Sequence, residues 1–341
     1  MAMCNWMSIL DDNLKLSEIT MPGSHDAGIY EDQSRLETTG VGLVPINTAI
    51  CQDKCIYDQC IVGSRFFDVR LEVTDTGVRT HHRKPVLGGA LGQGADSILI
   101  DVNEFLNRYP SEFVILRITK TKAKTEILGK ILESSLKGRL YRTNTLKNIA
   151  KCSIKELRGK AVCAFEPDIG TLHPSLGMQP FYRHGEGEYG IVTCGKYSND
   201  SRIKKVVAGQ VGKINAHTSH NQNDHLFVLY WTQTFNPKKL SNWFRSKNIR
   251  ANTTRPLNAR KAGQLSGGVH HNMHYLTNLL STGQGLYGKR KLKVTPTTLA
   301  DRQRIMPNVV MYDFVNTQVS SEIVSLNHRG LMGHLIDEDD D

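Results

Sequence analysis

Short apolar runs alternate along the chain with segments whose apolar side chains recur at helical spacing. Residues 65–73 (RFFDVRLEV) and 112–118 (EFVILRI) predict strands, because both are rich in β-branched and aromatic side chains. Residues 77–82 (GVRTHH) predict another strand, which follows the turn TDTG. Residues 95–109 have helical periodicity and predict a helix. This alternation is typical of a parallel sheet with crossover helices.

The same alternation continues towards the end of the chain. The helical pattern TEILGKILESSL precedes the apolar runs KAVCAFE, HLFVLYWTQ and NVVMYDFV, and the helix-like SSEIVSLN follows them. The sequence has no fixed-period repeat, low-complexity tract or long linker. We therefore expect one domain over residues 1–341 with a short acidic tail at about 336–341. For its fold we expect a single β/α barrel rather than an open doubly wound sheet.

The composition describes a folded and basic protein. The chain has 341 residues, of which 39% are hydrophobic, and this is enough to bury a full core. Its formal net charge of +10 favours anionic partners, namely nucleic acid, acidic lipid headgroups or a phosphorylated substrate. The basic runs TKTKAK, RSKNIR and GKRKLK lack an accompanying nucleic-acid-binding motif. We interpret them as attraction to an anionic membrane, with Trp231, Trp243 and Phe244 as candidates for insertion.

The first residues of the chain, its hydropathy and its cysteines bear on the cellular location that we expect for the protein. The first twenty residues lack the basic start and apolar run of a secretory leader, and no stretch approaches the roughly 18 apolar residues of a membrane span. We expect a monomer that is cytoplasmic, or secreted without a leader, and peripheral at membranes. Seven cysteines favour reduced, mostly buried thiols. We interpret Cys51 and Cys55, one helical turn apart, as one packed helix face.

Polar side chains stand at several predicted strand ends, where active sites of β/α barrels collect. We expect Pro22 and Gly23 to form a turn that ends the first strand. The polar set comprises His25, Asp26, Asp68, Arg70, His82 and Asp313. Two histidines oriented by carboxylates can accept and donate protons near neutral pH, and an arginine can hold phosphoryl oxygens. The set suits phosphodiester cleavage, although each histidine alone also fits a structural role.

Five blocks of the sequence occur in a characteristic order. They are LSEITMPGSHDAGIY, QCIVGSRFFDVRLEV, THH, YPSEFVILRI and NVVMYDFVNTQVSSEIVSLN. In order and approximate spacing they resemble the X domain of phosphatidylinositol-specific phospholipases C, a family of distorted TIM-type β/α barrels. Asp26 and Arg70 favour the bacterial, metal-independent branch, because calcium-dependent members usually have asparagine and an acidic residue there. The resemblance implies no catalytic metal and no cofactor.

The resemblance also implies a role for each catalytic candidate. His25 would be the general base that takes the proton of the inositol 2-hydroxyl, with Asp313 orienting it. His82, rather than His81, would be the general acid that protonates the diacylglycerol oxygen, assisted by Asp26. The reaction would release diacylglycerol and leave a cyclic inositol phosphate.

The remaining candidates concern the phosphate and the headgroup. Arg70 would hold the phosphoryl oxygens, and Asp68 would position Arg70 or a histidine. Lys120, Glu166 and Tyr197 are candidate substrate-binding residues. Tyr197 would match the family's aromatic surface under the inositol ring. The family's inositol site differs at three other points: its lysine aligns with Thr119, one place before Lys120, an arginine is replaced at Glu166 or its neighbour, and an acidic residue is replaced by Gly195. Two alternatives therefore stay open: a phosphodiesterase of the same fold that acts on another phospholipid or sphingolipid, and a non-catalytic lipid-binding barrel.

Histidines crowd two later stretches, NAHTSHNQNDH and GGVHHNMHY. His270 and His274 have the spacing of a metal pair on a helix, with His271 beside them. The stretches provide no third ligand at a clear spacing. We interpret both as polar loop or rim residues, and the role of the second cluster stays open.

Overall fold

The computed structural model describes most of the chain. The described residues are 2–32, 37–39, 49–84, 88–119, 121, 124–136, 138–183, 186–198, 200, 203–217, 224–232, 284–287, 290–293 and 306–332. Their strands are β1 (Met21–Ser24), β2 (Glu37–Thr39), β3 (Phe66–Thr74), β4 (Gly77–Lys84), β5 (Gly88–Gly94), β6 (Val114–Thr119), β7 (Ala161–Phe165), β8 (Met178–Tyr182), β9 (Ile191–Cys194), β10 (Leu226–Trp231), β11 (Gln284–Tyr287), β12 (Arg290–Lys293) and β13 (Val309–Tyr312). Their α-helices are α1 (Ile56–Ile61), α2 (Ala95–Arg108), α3 (Thr125–Leu136), α4 (Ile154–Leu157), α5 (Ile203–His217) and α6 (Thr317–Met332).

Parallel strands close into a barrel. Within the described part of the chain, eight strands follow one another around it in the order β1, β13, β10, β9, β8, β7, β6 and β3. Closure comes from β1, which pairs in parallel with both β13 and β3. Helices α2 and α3 flank β6 in the sequence, and α5 connects β9 to β10, as expected of crossover helices. The predicted β/α barrel is confirmed.

An antiparallel ribbon extends from one barrel strand. The first half of β3 pairs with β6 in the barrel, whereas its second half forms a hairpin with β4. Strand β5 then pairs with β4, and β2 pairs with β5. The strand predicted at residues 77–82 therefore exists but is not part of the barrel wall. Of its two histidines, His82 reaches the barrel mouth, from this ribbon and not from a barrel strand.

The barrel interior changes from apolar to polar along the strands. Side chains two residues apart in a strand share a face, so Asp68 and Arg70 share the inward face of Phe66. The same alternation along β6 turns Ile115 and Arg117 inwards, and Val114, Leu116 and Ile118 lie in the layer covered by α2 and α3. Strands β3 and β6 thus contribute apolar side chains near their starts and charged side chains near their carboxyl ends. The charged side chains therefore lie at the carboxyl end of the barrel, above an apolar base.

The amino end of the barrel is held by an ion pair without solvent exposure. Arg65, just before β3, contacts Glu112 just before β6 at 2.6 Å, and both side chains are 0% exposed. Nη1 also donates to the backbone oxygens of Cys60 and Ser64, and Nη2 contacts those of Met3 and Cys4. Glu112 also accepts from the backbone amide of Met7 at 3.1 Å. The pair ties the amino-terminal segment to the barrel base.

Replacing Arg65 with methionine is expected to lower the free energy of unfolding by about 3–5 kcal/mol, because the Glu112 carboxylate would stay buried without its partner. Denaturant unfolding measures the change. The matched control is Lys151→Met, which breaks an ion pair between largely exposed side chains of Lys151 and Asp224. That variant should lose less than about 1 kcal/mol. Equal losses in the two variants would contradict the structural role of Arg65.

Two sequence interpretations are wrong. Helix α1 begins at Ile56, so Cys55 precedes its first turn and Cys51 lies in the preceding loop rather than on a shared helix face. Trp231 is not available for membrane insertion, because it is 8% exposed and packs between the barrel and its outer helices. Trp243 and Phe244 lie outside the described residues. None of the helices described has both the length and the apolar character that crossing a membrane requires.

Candidate active site

The first histidine and its neighbouring carboxylate follow β1 directly. Pro22 and Gly23 lie inside β1, in register with Val310 and Met311, so the expected Pro-Gly turn is wrong. The chain turns only after Ser24, and Asp26 adopts a left-handed backbone conformation with φ of 44°. Aspartate is among the few residues that tolerate this conformation.

Side-chain hydrogen bonds hold that turn in place. The side-chain amide of Gln52 donates to the backbone oxygen of His25 at 2.9 Å, and its carbonyl oxygen accepts from the amide of Val315 at 3.0 Å. The backbone amide of Ala27 donates to the backbone oxygen of Asp68 at 2.9 Å. The turn is therefore fixed between β3 and the residues that follow β13, with the side chains of His25 and Asp26 at the barrel mouth.

The ribbon docks on the same turn and carries the second histidine there. Gly28 and Gly92 meet so closely that a Cβ atom on Gly92 would lie 2.2 Å from the Gly28 backbone oxygen. Thr80 of β4 donates to that oxygen at 3.1 Å. Successive residues of β4 point to opposite sides, so His82 faces Asp26 whereas His81 faces Glu72. Of the two histidines, His82 is therefore the one that lies beside Asp26.

The first dyad joins His25 to Asp313, which follows β13. The Nδ1 atom of His25 lies 2.7 Å from Oδ1 of Asp313. This contact favours the tautomer in which Nδ1 carries the proton and donates it to the carboxylate. The Nε2 atom then faces the mouth, 3.5 Å from Nη2 of Arg70. Burial alone would lower the pKa of His25, but the charges of Asp26 and Asp313 outweigh it and raise the pKa above its usual value.

The second dyad joins His82 to Asp26. The Nδ1 atom of His82 lies 2.5 Å from Oδ2 of Asp26, and the His82 side chain is 35% exposed, so its other nitrogen can meet a substrate. Asp26 also ion-pairs with Nε of Arg70 at 2.8 Å. Burial would raise the pKa of Asp26, but Arg70 and the two histidines hold it well below its usual range. Asp26 therefore stays ionised beside both rings.

Arg70 lies between the two dyads. Its guanidinium contacts Asp26 on one side and, through Nη2, Oδ2 of Asp68 at 3.2 Å on the other. Burial would raise the pKa of Asp68, but Arg117 and Arg70 lower it to about 2. Arg70 and Asp68 thus remain charged over any working pH range. The arrangement places the mostly buried guanidinium of Arg70, whose side chain is 13% exposed, at the centre of the polar mouth.

The sequence interpretation missed Arg117, the partner of Asp68 inside the barrel. Arg117 is the register partner of Asp68 on β6, and its Nη2 lies 2.7 Å from Oδ1 of that carboxylate. Its Nη1 donates to the hydroxyl of Tyr230 at 2.7 Å. A charged residue on the inward face of a predicted strand was the available signal. Asp68 is therefore shared by two arginines, and its position depends on both.

The headgroup candidates differ in their placement. The hydroxyl of Tyr197 donates to Asp68 at 3.4 Å, and its ring centroid lies 5.5 Å from that of His25. Glu166, which follows β7, ion-pairs with Arg183, which follows β8. Both side chains lie at the carboxyl ends of their strands, on the rim of the mouth. Lys120 lies outside the described residues.

The donor set includes groups that metals use, but its charges are already balanced. One ligand atom each from His25, Asp26 and Asp68 lies within 4.8 Å of the others. The guanidinium of Arg70 contacts both of these carboxylates, so a cation added among them would meet its positive charge. The arrangement suits an anionic ligand at Arg70 better than a divalent cation.

Known proteins resemble this chain in sequence over part of its length. No family model matches the chain. The chain is 30% identical over 165 residues to a 1-phosphatidylinositol phosphodiesterase of Staphylococcus aureus (strain Newman), covering 46% of this chain and 49% of that protein. It is 25% identical over 167 residues to the enzyme of the same name from Listeria monocytogenes, covering 47% and 48%. The matches thus span about half the length of these curated relatives.

Solved structures extend the likeness over nearly the whole chain. The phosphatidylinositol-specific phospholipase C of Listeria monocytogenes superimposes with a TM-score of 0.61 at 19% identity, covering 96% of this chain and 99% of that one. A Staphylococcus aureus phosphatidylinositol-specific phospholipase C gives a TM-score of 0.60 at 19% identity, covering 96% and 98%. The resemblance to the phosphatidylinositol-specific phospholipase C family is confirmed.

A buried thiol lies beside Asp26 in this site, and the sequence interpretation missed its position. The Sγ atom of Cys51 lies 3.9 Å from Oδ2 of Asp26 and 3.4 Å from the backbone oxygen of Ala49. Burial, reinforced by the charges of Asp313 and Asp26, raises the pKa of this thiol well above its usual value. Cys51 is therefore a neutral packing group and not a nucleophile.

Replacing Asp313 with asparagine is expected to move the acidic limb of the kcat/KM profile to lower pH. The resemblance implies that His25 is a general base, which works when neutral, so the acidic limb would report the pKa of His25. The negative charge of Asp313 is one cause of the elevation of that pKa. The plateau rate should also fall, because the ring loses the carboxylate that selects its tautomer. Rates measured over a range of pH test both effects. A limb that moves to higher pH would contradict the contact between His25 and Asp313.

Proposed function

We propose that the chain is a phosphodiesterase of the phospholipase C type that cleaves phosphatidylinositol-type lipids by intramolecular transfer. The observation that carries the proposal is the pair of histidine–carboxylate dyads on either side of Arg70, at the carboxyl end of the barrel. The names of the bacterial relatives support the substrate class. Each part of the constellation has a separate task in the reaction.

The first step uses the dyad of His25 and Asp313. Nε2 of His25 takes the proton of the inositol 2-hydroxyl while that oxygen attacks phosphorus and forms a new phosphorus–oxygen bond. The resulting imidazolium is stabilised by Asp313 at 2.7 Å from Nδ1. General base catalysis of this kind typically contributes 10²- to 10⁴-fold to a rate.

The leaving group departs with help from the dyad of His82 and Asp26. As the bond from phosphorus to the glycerol oxygen breaks, protonated His82 donates a proton to that oxygen and diacylglycerol is released. Asp26 contacts Nδ1 of His82 at 2.5 Å and so orients the ring, leaving its other nitrogen free to face the leaving oxygen. The other product is a cyclic inositol phosphate, and the net proton count is unchanged because one histidine gains the proton that the other loses.

Arg70 serves the phosphoryl group in this scheme. Its guanidinium can donate to the non-bridging oxygens, whose negative charge must be stabilised during the displacement. Asp68 and Asp26 fix the guanidinium plane from two sides, and Arg117 fixes Asp68 in turn. We propose that this cation does the work that a divalent metal does in calcium-dependent enzymes, so that turnover requires no metal.

The headgroup would lie on the rim next to this centre. Tyr197 offers an aromatic surface for the inositol ring, 5.5 Å from the ring of His25. Glu166 and Arg183 offer an acceptor and a donor for ring hydroxyls. We propose binding at the membrane surface as a monomer, with attraction between the basic chain and anionic lipid, and no nucleic-acid partner.

A phosphorus NMR time course on lipid vesicles tests the proposal. The full chain, in excess chelator, is expected to convert phosphatidylinositol to a cyclic phosphodiester and to leave phosphatidylcholine and sphingomyelin intact. A requirement for magnesium, with turnover of a lysophospholipid or sphingolipid instead, would favour the alternative enzyme of the same fold. Vesicle binding without turnover of any lipid would favour the non-catalytic alternative.

A further inference from the structure

A second group of potential ligands lies on the outer side of the barrel, apart from the catalytic mouth. Cys194 ends β9, His217 ends α5, and His225 immediately precedes β10. One ligand atom from each residue lies within 4.8 Å of the others. Both histidines belong to the stretch NAHTSHNQNDH, which the sequence interpretation assigned to polar loop residues. The proposed lipid reaction uses none of the three residues.

Packing holds the side chains of Cys194 and His217 next to each other. Helix α5 packs on the outer face of β10 through residues such as Val211 and Ile214. Its last residue, His217, is buried, and the imidazole stacks on the ring of Phe227 with centroids 4.1 Å apart and an interplanar angle of 25°. Cys194 is the register partner of Phe227 on the neighbouring strand. The thiol therefore reaches the Nδ1 edge of the imidazole.

The distances fit the coordination geometry of zinc. The Sγ atom of Cys194 lies 3.4 Å from Nδ1 of His217. A tetrahedral Zn²⁺, with bonds of about 2.3 Å to sulfur and about 2.0–2.1 Å to nitrogen, separates two such ligand atoms by about 3.6 Å. The imidazole of His225 has its centroid 5.6 Å from that of His217, at an interplanar angle of 70°. Two rings set at such an angle can direct one nitrogen each to a common point.

We propose that Cys194, His217 and His225 bind one Zn²⁺ ion, with water completing the tetrahedron. A thiolate with two imidazoles is a ligand set that zinc prefers, whereas calcium and magnesium require oxygen ligands. Cys194 and His225 are only partly buried, so an ion can reach the site from solvent. The stacking of His217 on Phe227 orients one ligand ring before the metal arrives.

The bound ion would join three elements that support the catalytic mouth from outside. Cys194 leads directly into the segment that carries Tyr197, and His225 leads into β10, which carries Tyr230. On α5, Gln210 donates to the backbone oxygen of Lys196 at 3.1 Å and accepts from the amide of Tyr230 at 3.2 Å. The ion would therefore reinforce an existing brace, which predicts a higher melting temperature with zinc bound.

Metal content of the full chain tests the site. The protein is stripped with chelator, incubated with zinc chloride, passed through a desalting column and analysed by elemental mass spectrometry. Wild type is expected to retain one more zinc equivalent than Cys194→Ser or His225→Ala. Cobalt loading should give thiolate-to-cobalt charge-transfer absorption in wild type, and Cys194→Ser should lack it. Circular dichroism verifies that the variants are folded.

Two control variants make the assignment specific. Cys55→Ala removes a half-buried thiol that contacts Asp58, and it should retain the full zinc content. Cys51→Ala removes the thiol beside Asp26 in the catalytic mouth, and it should also retain zinc. If Cys51→Ala loses the zinc equivalent and Cys194→Ser keeps it, the ion binds in the catalytic mouth and the proposal is overturned. Equal zinc content in wild type and Cys194→Ser, or none in either, would overturn it as well.

Discussion

Replacing His25 with alanine is expected to lower kcat on phosphatidylinositol by about 10²- to 10⁴-fold, because the attacking hydroxyl would lose its general base. The loss should be as large with a nitrophenyl ester of inositol phosphate, since a better leaving group does not activate the nucleophile. His82→Ala should lose a similar factor on the lipid but much less on the nitrophenyl ester, because a weakly basic leaving oxygen needs no proton. Initial rates on the two substrates measure this difference.

The matched control is His173→Ala, which removes an exposed histidine between β7 and β8 and should leave both rates unchanged. Melting temperatures show whether each variant keeps its fold. Wild-type turnover by His25→Ala would remove His25 from the mechanism. Equal losses on the nitrophenyl ester in the two catalytic variants would mean that base and acid are not divided between these histidines.

Replacing Arg70 with lysine is expected to lower kcat/KM by about 10²- to 10³-fold, comparable to removal of one preorganised donor from an oxyanion site. Lysine keeps the positive charge, but it is a point charge and cannot contact Asp26, Asp68 and a phosphoryl oxygen with one rigid plane. The decrease in kcat/KM should be observed in the presence of chelator, and added magnesium should not reverse it. Steady-state rates on phosphatidylinositol vesicles provide the measurement.

Arg142→Lys is the matched control for this substitution, because Arg142 forms an exposed ion pair with Glu133 on α3. It should keep the wild-type rate and stability. An Arg70→Lys variant with wild-type kcat/KM would show that charge alone suffices and that the guanidinium geometry has no role in the reaction.

The barrel was predictable from the sequence where its strands are long and apolar. Strands β3, β6 and β10 have six to nine residues and stand out against the helical segments between them. Strands β8 and β9 have only five and four residues, and β8 contains Pro180, a residue that normally argues against a barrel strand. Their pairing depends on the neighbouring strands that complete the barrel. No local pattern encodes such a requirement.

The grouping of the candidate site residues was predictable from the sequence, but the contacts that support them were not. Histidines beside carboxylates indicate proton transfer, and the family resemblance supplied their pairing. Arg117 was not predictable as the partner of Asp68, because their contact depends on strand register between residues 49 positions apart. The prediction that Cys51 lies on a helix face was wrong for a related reason. Its loop is held by the side chain of Gln52, which bonds to residues distant in sequence, and helical spacing does not report such contacts.

The docking of Gly28 against Gly92 ties the two proposed proton carriers to different parts of the molecule. His25, the proposed general base, follows a strand of the barrel wall, whereas His82, the proposed general acid, lies on β4 of the ribbon that continues from β3. The ribbon is also held by Thr80 and Gln93, which donate to the backbone oxygen of Gly28. In the proposed mechanism, a shift of the ribbon would therefore change proton donation to the departing alcohol and leave the base in the wall where it is.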